Sequence, residues 1–300
     1  MNIVYGKILS IVLLGGTVTS PLWISAAKDA GAFTATKDAK PDPADRGKLV
    51  RGKRPVAPTD PDPVTEEPEV GEPGQGDGSV ALDPLPPLDL SDMALWNWSG
   101  QWHASHWDHE FSDIPWRYDH VFQTSGDTVF RLDGDGAPEL KAEAAAPVRA
   151  GVWEVDVTLP EMQSGLVAAP IWLFNQANGD EIDIEMAGEN GMQVTLHAYH
   201  TGSHRKATFT VPDTQALYGQ RVRMGIEVDL DAGYVEFTVD GALVHTFYRS
   251  QHPDAFPTTA LKPIISMWTA KRGLGWAESW LGSWNGTPAS MTVHGYRYSR

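Results

Sequence analysis

Gly179-Asp180-Glu181-Ile182-Asp183-Ile184-Glu185-Met186 alternates acidic and apolar residues from Glu181 onward. A period of two is that of a β-strand with one face in a core, so Glu181, Asp183 and Glu185 share one face while Ile182, Ile184 and Met186 share the other. Same-face neighbours on a strand lie roughly 7 Å apart, which places Glu181 and Glu185 about 13 Å apart at Cα. Three carboxylates then form a single row, with the short Asp183 between two long glutamates.

Like charges this close cannot all ionise independently, so one carboxyl is expected to keep its proton above the ordinary range while a neighbour stays ionised. That division supplies a general acid and a nucleophile. Two glutamates leaning toward each other approach the ~5 to 5.5 Å between carboxyl groups that double displacement at a glycosidic bond uses. The alternative is a solvated acidic strand on a sheet edge. No Lys or Arg occurs between residues 176 and 190 to neutralise such a strand, which favours chemistry over a structural purpose.

The chain has 300 residues, 41% of them hydrophobic, enough for one domain of about 200 residues with a sizeable core plus extensions. Its formal charge of -16 argues against nucleic acid and anionic membrane surfaces as partners, since both demand a basic footprint. It also disfavours strongly anionic polymers, unless a local cleft departs from the average. Cysteine is absent, so no disulfide or thiolate chemistry is available and packing alone must hold the fold.

Residues 1–27 read as a secretory signal: Lys7, an apolar run over 8–24, and Ser25-Ala26-Ala27 as a small-residue cleavage site. The expected location is secreted or periplasmic; Gly15, Gly16 and Pro21 interrupt the run, and an uncleaved anchor is the alternative. Residues 28–90 hold half of the 22 prolines and almost no aromatics, the composition of an extended tether that cannot bury enough apolar surface to order itself. At Ser91 the composition changes to Trp96, Trp98, Trp102, Trp107 and Trp116, which sets a domain over 91–300.

Within that domain, residues 152–159 alternate Trp153, Val155, Val157 and Leu159 against Glu154, Asp156 and Thr158. Residues 167–174 are a continuous apolar run, as in a strand buried on both faces, with Trp172 in the core. Residues 192–199 alternate again, with His197 and Tyr199 on the polar face. Strands at 221–230, 234–239 and 242–247 form a meander turned at Asp240-Gly241, and 261–268 and 291–298 complete the set. No long stretch has helical periodicity. Many short strands in this length indicate an all-β sandwich of two antiparallel sheets, one of them curved around a groove.

The motif Glu181-Ile182-Asp183-Ile184-Glu185 resembles that of glycoside hydrolase family 16, in the unbulged version found in bacterial lichenases. Ile265-Ser266-Met267-Trp268, Trp280-Leu281-Gly282-Ser283-Trp284-Asn285-Gly286 and the hairpin around Val239-Asp240-Gly241 are similar to the lichenase C-terminal region. The strands over 151–159 and 165–174 are similar to those before the motif. The resemblance implies a jelly-roll β-sandwich with a concave substrate cleft, and endo-hydrolysis of β-1,3/1,4-linked glucan or a related polysaccharide with retention. Residue by residue, it implies Glu181 as nucleophile, Glu185 as acid/base and Asp183 as the group tuning both. Trp268 matches a substrate-stacking Trp, and Glu154 a cleft carboxylate. His197 and Tyr199 are expected to border the groove.

The chain departs from that pattern where lichenases have Trp two residues before the nucleophile (Gly179), Arg two residues after the cleft carboxylate (Asp156) and Asn two residues before the stacking Trp (Ser266). Altered groove walls make an exopolysaccharide depolymerase, such as a succinoglycan endoglycanase, an equal candidate. The family's structural calcium draws on an Asp near the C-terminus where this chain has His294, which leaves calcium doubtful; no cofactor is required, and a monomer acting on polysaccharide is expected.

His103, His106 and His109 lie three apart, yet in a Trp- and Asp-rich segment they read as scattered wall residues rather than metal ligands. Asp133-Gly134-Asp135-Gly136 has the look of a calcium loop, but Ala144 stands where the closing Glu is needed, so a tight turn is expected. No nucleophile elbow, phosphate loop or zinc-binding helix motif is present. Two other functions fit the same residues. A carbohydrate-binding module would tolerate loss of one of the two glutamates, and both are intact. A transglycosylase would share the covalent intermediate and differ in preferring a glycan acceptor to water.

Overall fold

In a computed structural model, residues 82–95, 101–142 and 145–300 are described. The expected signal, most of the tether, Trp96, Trp98 and Ala144 lie outside these residues. In chain order the strands are β1 (Ala94–Leu95), β2 (His103–Ala104), β3 (Val121–Thr124), β4 (Asp127–Leu132), β5 (Glu139–Lys141), β6 (Ala150–Thr158), β7 (Leu166–Phe174), β8 (Glu181–Ala187), β9 (Met192–Ala198) and β10 (Arg205–Thr210). They continue with β11 (Arg221–Asp229), β12 (Tyr234–Val239), β13 (Ala242–Tyr248), β14 (Lys262–Thr269) and β15 (Ala289–Ser299). The one α-helix among the described residues, α1 (Gly275–Leu281), is two turns long. No helix among them is long and apolar enough to cross a membrane.

The strands form two sheets, one of eight strands in the order β1-β2-β5-β14-β7-β8-β9-β10 and one of seven in the order β13-β12-β11-β6-β15-β4-β3. All pairings are antiparallel except β1 with β2. The chain passes back and forth between the sheets, so neither is built from consecutive strands alone. This is the expected all-β sandwich, with each predicted strand present to within two residues at its ends.

Alternation explains the core. Trp153, Val155 and Val157 of β6, Ile182, Ile184 and Met186 of β8, Val194 and Leu196 of β9, and Met224, Ile226 and Val228 of β11 all turn inward and are fully buried. Burying a side chain of this size stabilises by about 1.5–3 kcal/mol relative to exposure. With Phe130, Phe237, Phe247 and Phe256 also sealed inside, packing suffices where disulfides are unavailable.

The tether ends earlier than its composition implies. Leu85, Leu88 and Leu90 are buried, and the backbone around them is hydrogen-bonded into the seven-stranded sheet. Tyr296 N–H donates to Pro86 O, the Arg223 guanidinium to Asp83 O, and the Gln123 amide to Leu88 O. Proline-rich spacing is compatible with an extended strap when leucines at intervals find apolar sites. Leu85 lies directly over Gly295, where an added Cβ would stand 2.7 Å from the leucine Cβ. The domain therefore includes residues from 82 onward.

Candidate active site

β8 is regular along its whole pairing with β9, from Glu181 opposite His197 to Met186 opposite Met192. Regularity keeps Glu181, Asp183 and Glu185 on one face, turned away from the sandwich core. Glu181 and Glu185 are half-buried and Asp183 is buried. The irregularity falls instead on β7, whose register against β8 shifts between Ala168 and Ile171.

Cross-strand register assigns the neighbours of the row, because paired residues of antiparallel strands share a face. Glu181 is flanked by Phe174 on β7 and His197 on β9, Asp183 by Trp172 and Thr195, and Glu185 by Gln193. Lys262 of β14 pairs with Phe174, and Lys206 of β10 with His197. A pocket lined by Phe174, Lys262, Ile264 and Lys141 adjoins the Glu181 end.

Burial and crowding raise the proton affinity of the whole row. Glu181 is pushed well above the carboxylate range by burial first and by the charge of Asp183 second. Asp183 is likewise raised by burial and by the charge of Glu185. Glu185 is raised by burial to about 7, with the Lys206 ammonium opposing. The expectation that one neighbour would remain at an ordinary value is corrected: all three carboxyls rise, because all are desolvated together. A hydrogen bond between the Glu181 and Asp183 carboxyls raises Glu181 further and opposes the rise of Asp183, so the shared proton rests on Glu181 with Asp183 accepting.

Trp268 stands on the same sheet face beyond Glu185, paired through Val167 with the row's continuation at Ala187. Its ring meets His109 at 5.4 Å, Trp280 at 6.2 Å and Trp276 at 6.5 Å between centroids. Together they form an aromatic wall carried by α1 and by the segment before β3. Trp280 Nε1 donates to Gln193 Oε1 at 3.0 Å, tying that wall to the partner of Glu185. His197 is engaged with the row itself, its Nε2 lying 3.3 Å from Asp183 Oδ2. Tyr199 packs on His204.

Glu154 does not reach this face. It lies on β6 in the other sheet, points away from the core, and is ion-paired with Arg297 of β15, whose Nε and Nη2 both donate to Glu154 Oε2. The alternation of β6 is as expected, but alternation defines the faces of a strand without saying which sheet the strand joins. The carboxylate that does stand on the row's face is Glu139 of β5, opposite Ser266, hydrogen-bonded by Ser105 and ion-paired with Lys141. Its signal was the inward Leu140 between two charged residues.

Trp172 also differs from expectation. It is buried, but beside Asp183 on the row's face rather than between the sheets, in a small apolar cluster with Ala169, Ile264 and Phe174. Its Nε1 donates to Ser266 Oγ. Asp180, one residue before the nucleophile candidate, was missed altogether. It is fully buried, and its Oδ2 accepts from the Thr258 and Thr259 backbone N–H groups and the Thr259 hydroxyl at 2.8–2.9 Å.

Among the described residues, Glu181, Asp183 and His197 are the one group of His, Asp or Glu whose ligand atoms lie close enough to share a metal ion, within 4.8 Å. His103, His106 and His109 are separately packed against Trp107, Tyr118 and Trp116. Asp133 closes the turn after β4 by accepting from Asp135 N–H and His120. At the place of the family's calcium ligand, both ring nitrogens of His294 are engaged, Nδ1 with Asp127 and Nε2 with Thr158. Calcium takes oxygen ligands, so this arrangement does not fit it.

The model of glycosyl hydrolases family 16 matches residues 108–294. Among solved structures, a Bacillus licheniformis β-glucanase aligns with 22% identity and a TM-score of 0.54, over 67% of this chain and 93% of that one. The laminarinase catalytic domain from Thermotoga maritima aligns with 16% identity and a TM-score of 0.54, over 67% and 92%. A Bacteroides ovatus family 16 structure in complex with its G4G4G3G product aligns with 15% identity and a TM-score of 0.52, over 66% and 94%. No curated protein matches by sequence. At these identities the structures share the jelly-roll sandwich with this chain, while the family model spans the acid row, the aromatic wall and most strands of both sheets: the chain belongs to glycosyl hydrolases family 16.

Proposed function

We propose that the protein is an endo-acting, retaining hydrolase of β-1,3/1,4-linked glucan or a related bacterial exopolysaccharide. The observation that carries this reading is the regular strand presenting Glu181, Asp183 and Glu185 on one open sheet face, each with raised proton affinity.

The chemistry needs only these groups. Glu185, protonated near neutrality, gives its proton to the glycosidic oxygen as the bond to the anomeric carbon breaks. Glu181 yields the shared proton to Asp183, which leaves the negative charge on the attacking oxygen, and forms the new bond to that carbon. Glu185, now ionised, takes a proton from water, whose oxygen displaces Glu181 and restores the β configuration. Trp268 offers an aromatic face to a pyranose ring beside the acid/base. The apolar run near the N-terminus supports a secreted or periplasmic location, where such polymers are met.

Product sizing after incubation with mixed-linkage glucan, laminarin and a bacterial exopolysaccharide, with proton NMR of the first product anomer, tests this. Mid-sized oligosaccharides released first as the β anomer are expected. An initial α anomer would exclude double displacement, and failure of all three polymers to shorten would exclude the substrate class. Glu181→Ala should lower turnover by about 10³-fold or more while leaving the fold intact.

A further inference from the structure

The end of β9 and the turn to β10 carry a row of rings that the hydrolytic steps do not use. His197 Nδ1 and His204 Nε2 are 2.7 Å apart, and their rings lie edge to edge and nearly coplanar, with centroids 5.0 Å apart and an interplanar angle of 10°. Tyr199 stacks on His204 at 5.0 Å and 27°. Tyr199 in turn lies against Gly179: a Cβ there would stand 2.8 Å from Tyr199 Cε2, and the glycine's φ of +80° suits few other residues. The glycine two residues before Glu181 thus makes room for the ring. Tyr199, His204, His197 and Asp183 form one continuous column beside the acid row.

A hydrogen bond between two imidazole nitrogens needs an N–H on one and a lone pair on the other. Burial holds His197 below its ordinary pKa, so it is neutral and has a single N–H. Asp183 Oδ2 is a buried acceptor without a hydrogen-bond partner, and His197 Nε2 is 3.3 Å from it. If His197 gave its N–H to His204, the carboxyl oxygen would face a bare lone pair. If His204 donates, the N–H of His197 turns to the carboxyl. Glu181 and Lys206, opposite His197 on β8 and β10, are the other charged groups beside it.

We propose that His204 is a positioning residue for the hydrolytic reaction: its Nε2–H donates to His197 Nδ1 and fixes His197 as the Nε2–H tautomer directed at Asp183. Asp183 is thereby held toward Glu181. This rests on the hydrolase reading for its kinetic consequence, but the tautomer does not.

Nitrogen-15 NMR of the unmodified protein, with His197 assigned by the signal lost in His197→Asn, should show a protonated Nε2 and an unprotonated Nδ1. His204→Phe keeps a ring for Tyr199 to stack on and removes the donor. It should yield mixed tautomers of His197 and lower kcat by about 10- to 100-fold with KM little changed. His204→Gln, whose amide N–H can still donate, should recover most of that loss. A protonated Nδ1 on His197 in the unmodified protein overturns the proposal, as does a folded His204→Phe with full kcat or a folded Gln variant no better than Phe. Absence of glycosidase activity in the unmodified protein would instead overturn the hydrolase reading, with the NMR result still deciding the tautomer.

Discussion

Glu185 sits between two opposed influences, burial that favours its neutral form and the Lys206 ammonium that favours its ionised form. Acting as acid it must be protonated, so kcat/KM should fall as pH rises through about 7, the value burial gives it. The other limb belongs to the Glu181–Asp183 pair, which must lose one of its protons before Glu181 can attack. Because both are raised, that limb should lie above the ordinary carboxylate range, and the profile of kcat/KM against pH should be a narrow bell. Replacing Lys206 by Met removes the opposing charge. It should move the basic limb upward by roughly 0.5 to 1 unit, and a limb that stays in place would mean that another group sets it. Glu185→Gln should cost about 10²–10⁴-fold on glycans and far less on aryl glycosides with good leaving groups. Equal losses on both would remove Glu185 from the acid role.

At the scale of elements, β8 is held at its start by an anchor that alternation hides. Asp180 has the parity of Ile182, the core side, and a lone acid there gives no hint of what satisfies it. The structure answers with three donors from Thr258 and Thr259, nearly eighty residues away, which fix the entry of β8 against the loop before β14. Asp180→Ala should therefore destabilise by about 2–4 kcal/mol in urea denaturation and should loosen the Glu181 end of the row. A change under about 0.5 kcal/mol would show the anchor to be dispensable. The same distinction separates what was legible in the sequence from what was not. The acid row, the meander and the inward faces follow from a period of two, a local property. Which sheet holds Glu154, which face of β7 lies under Trp172, and that Gly179 makes room for Tyr199 all depend on pairings between distant strands, about which local alternation says nothing.

Across the whole molecule, the outer face of the seven-stranded sheet and the acid row respond to pH with opposite signs. On that outer face Asp156 is held below its ordinary pKa by a bidentate bond to Arg221, and on the turn after β4 Asp133 is lowered by hydrogen bonds from His120 and Asp135. Depressed carboxylates contribute stability above the unfolded value, lost only as pH falls through the folded one. The histidines His103, buried, and His109, half-buried, lowered to about 4 and about 3, add stability as pH rises toward the unfolded histidine value near 6.5 and nothing further beyond it. Above about pH 6.5 both contributions are constant and the row alone changes. Its carboxyls are raised, so the folded state binds more protons than the unfolded state, and stability must fall as pH rises. The melting temperature should accordingly decline as pH rises above about 6.5, through the value near 7 of Glu185 and on until Glu181 and Asp183 have also ionised, and level off thereafter. Asp183→Asn removes one buried ionisable group and its repulsion of Glu181. It should flatten that decline and leave the variant more stable than the parent by about 1–2 kcal/mol once the row has ionised. A parent whose stability is constant or increases over this range would show that the row ionises in the folded protein without penalty, and the proton shared between Glu181 and Asp183 would then have no support.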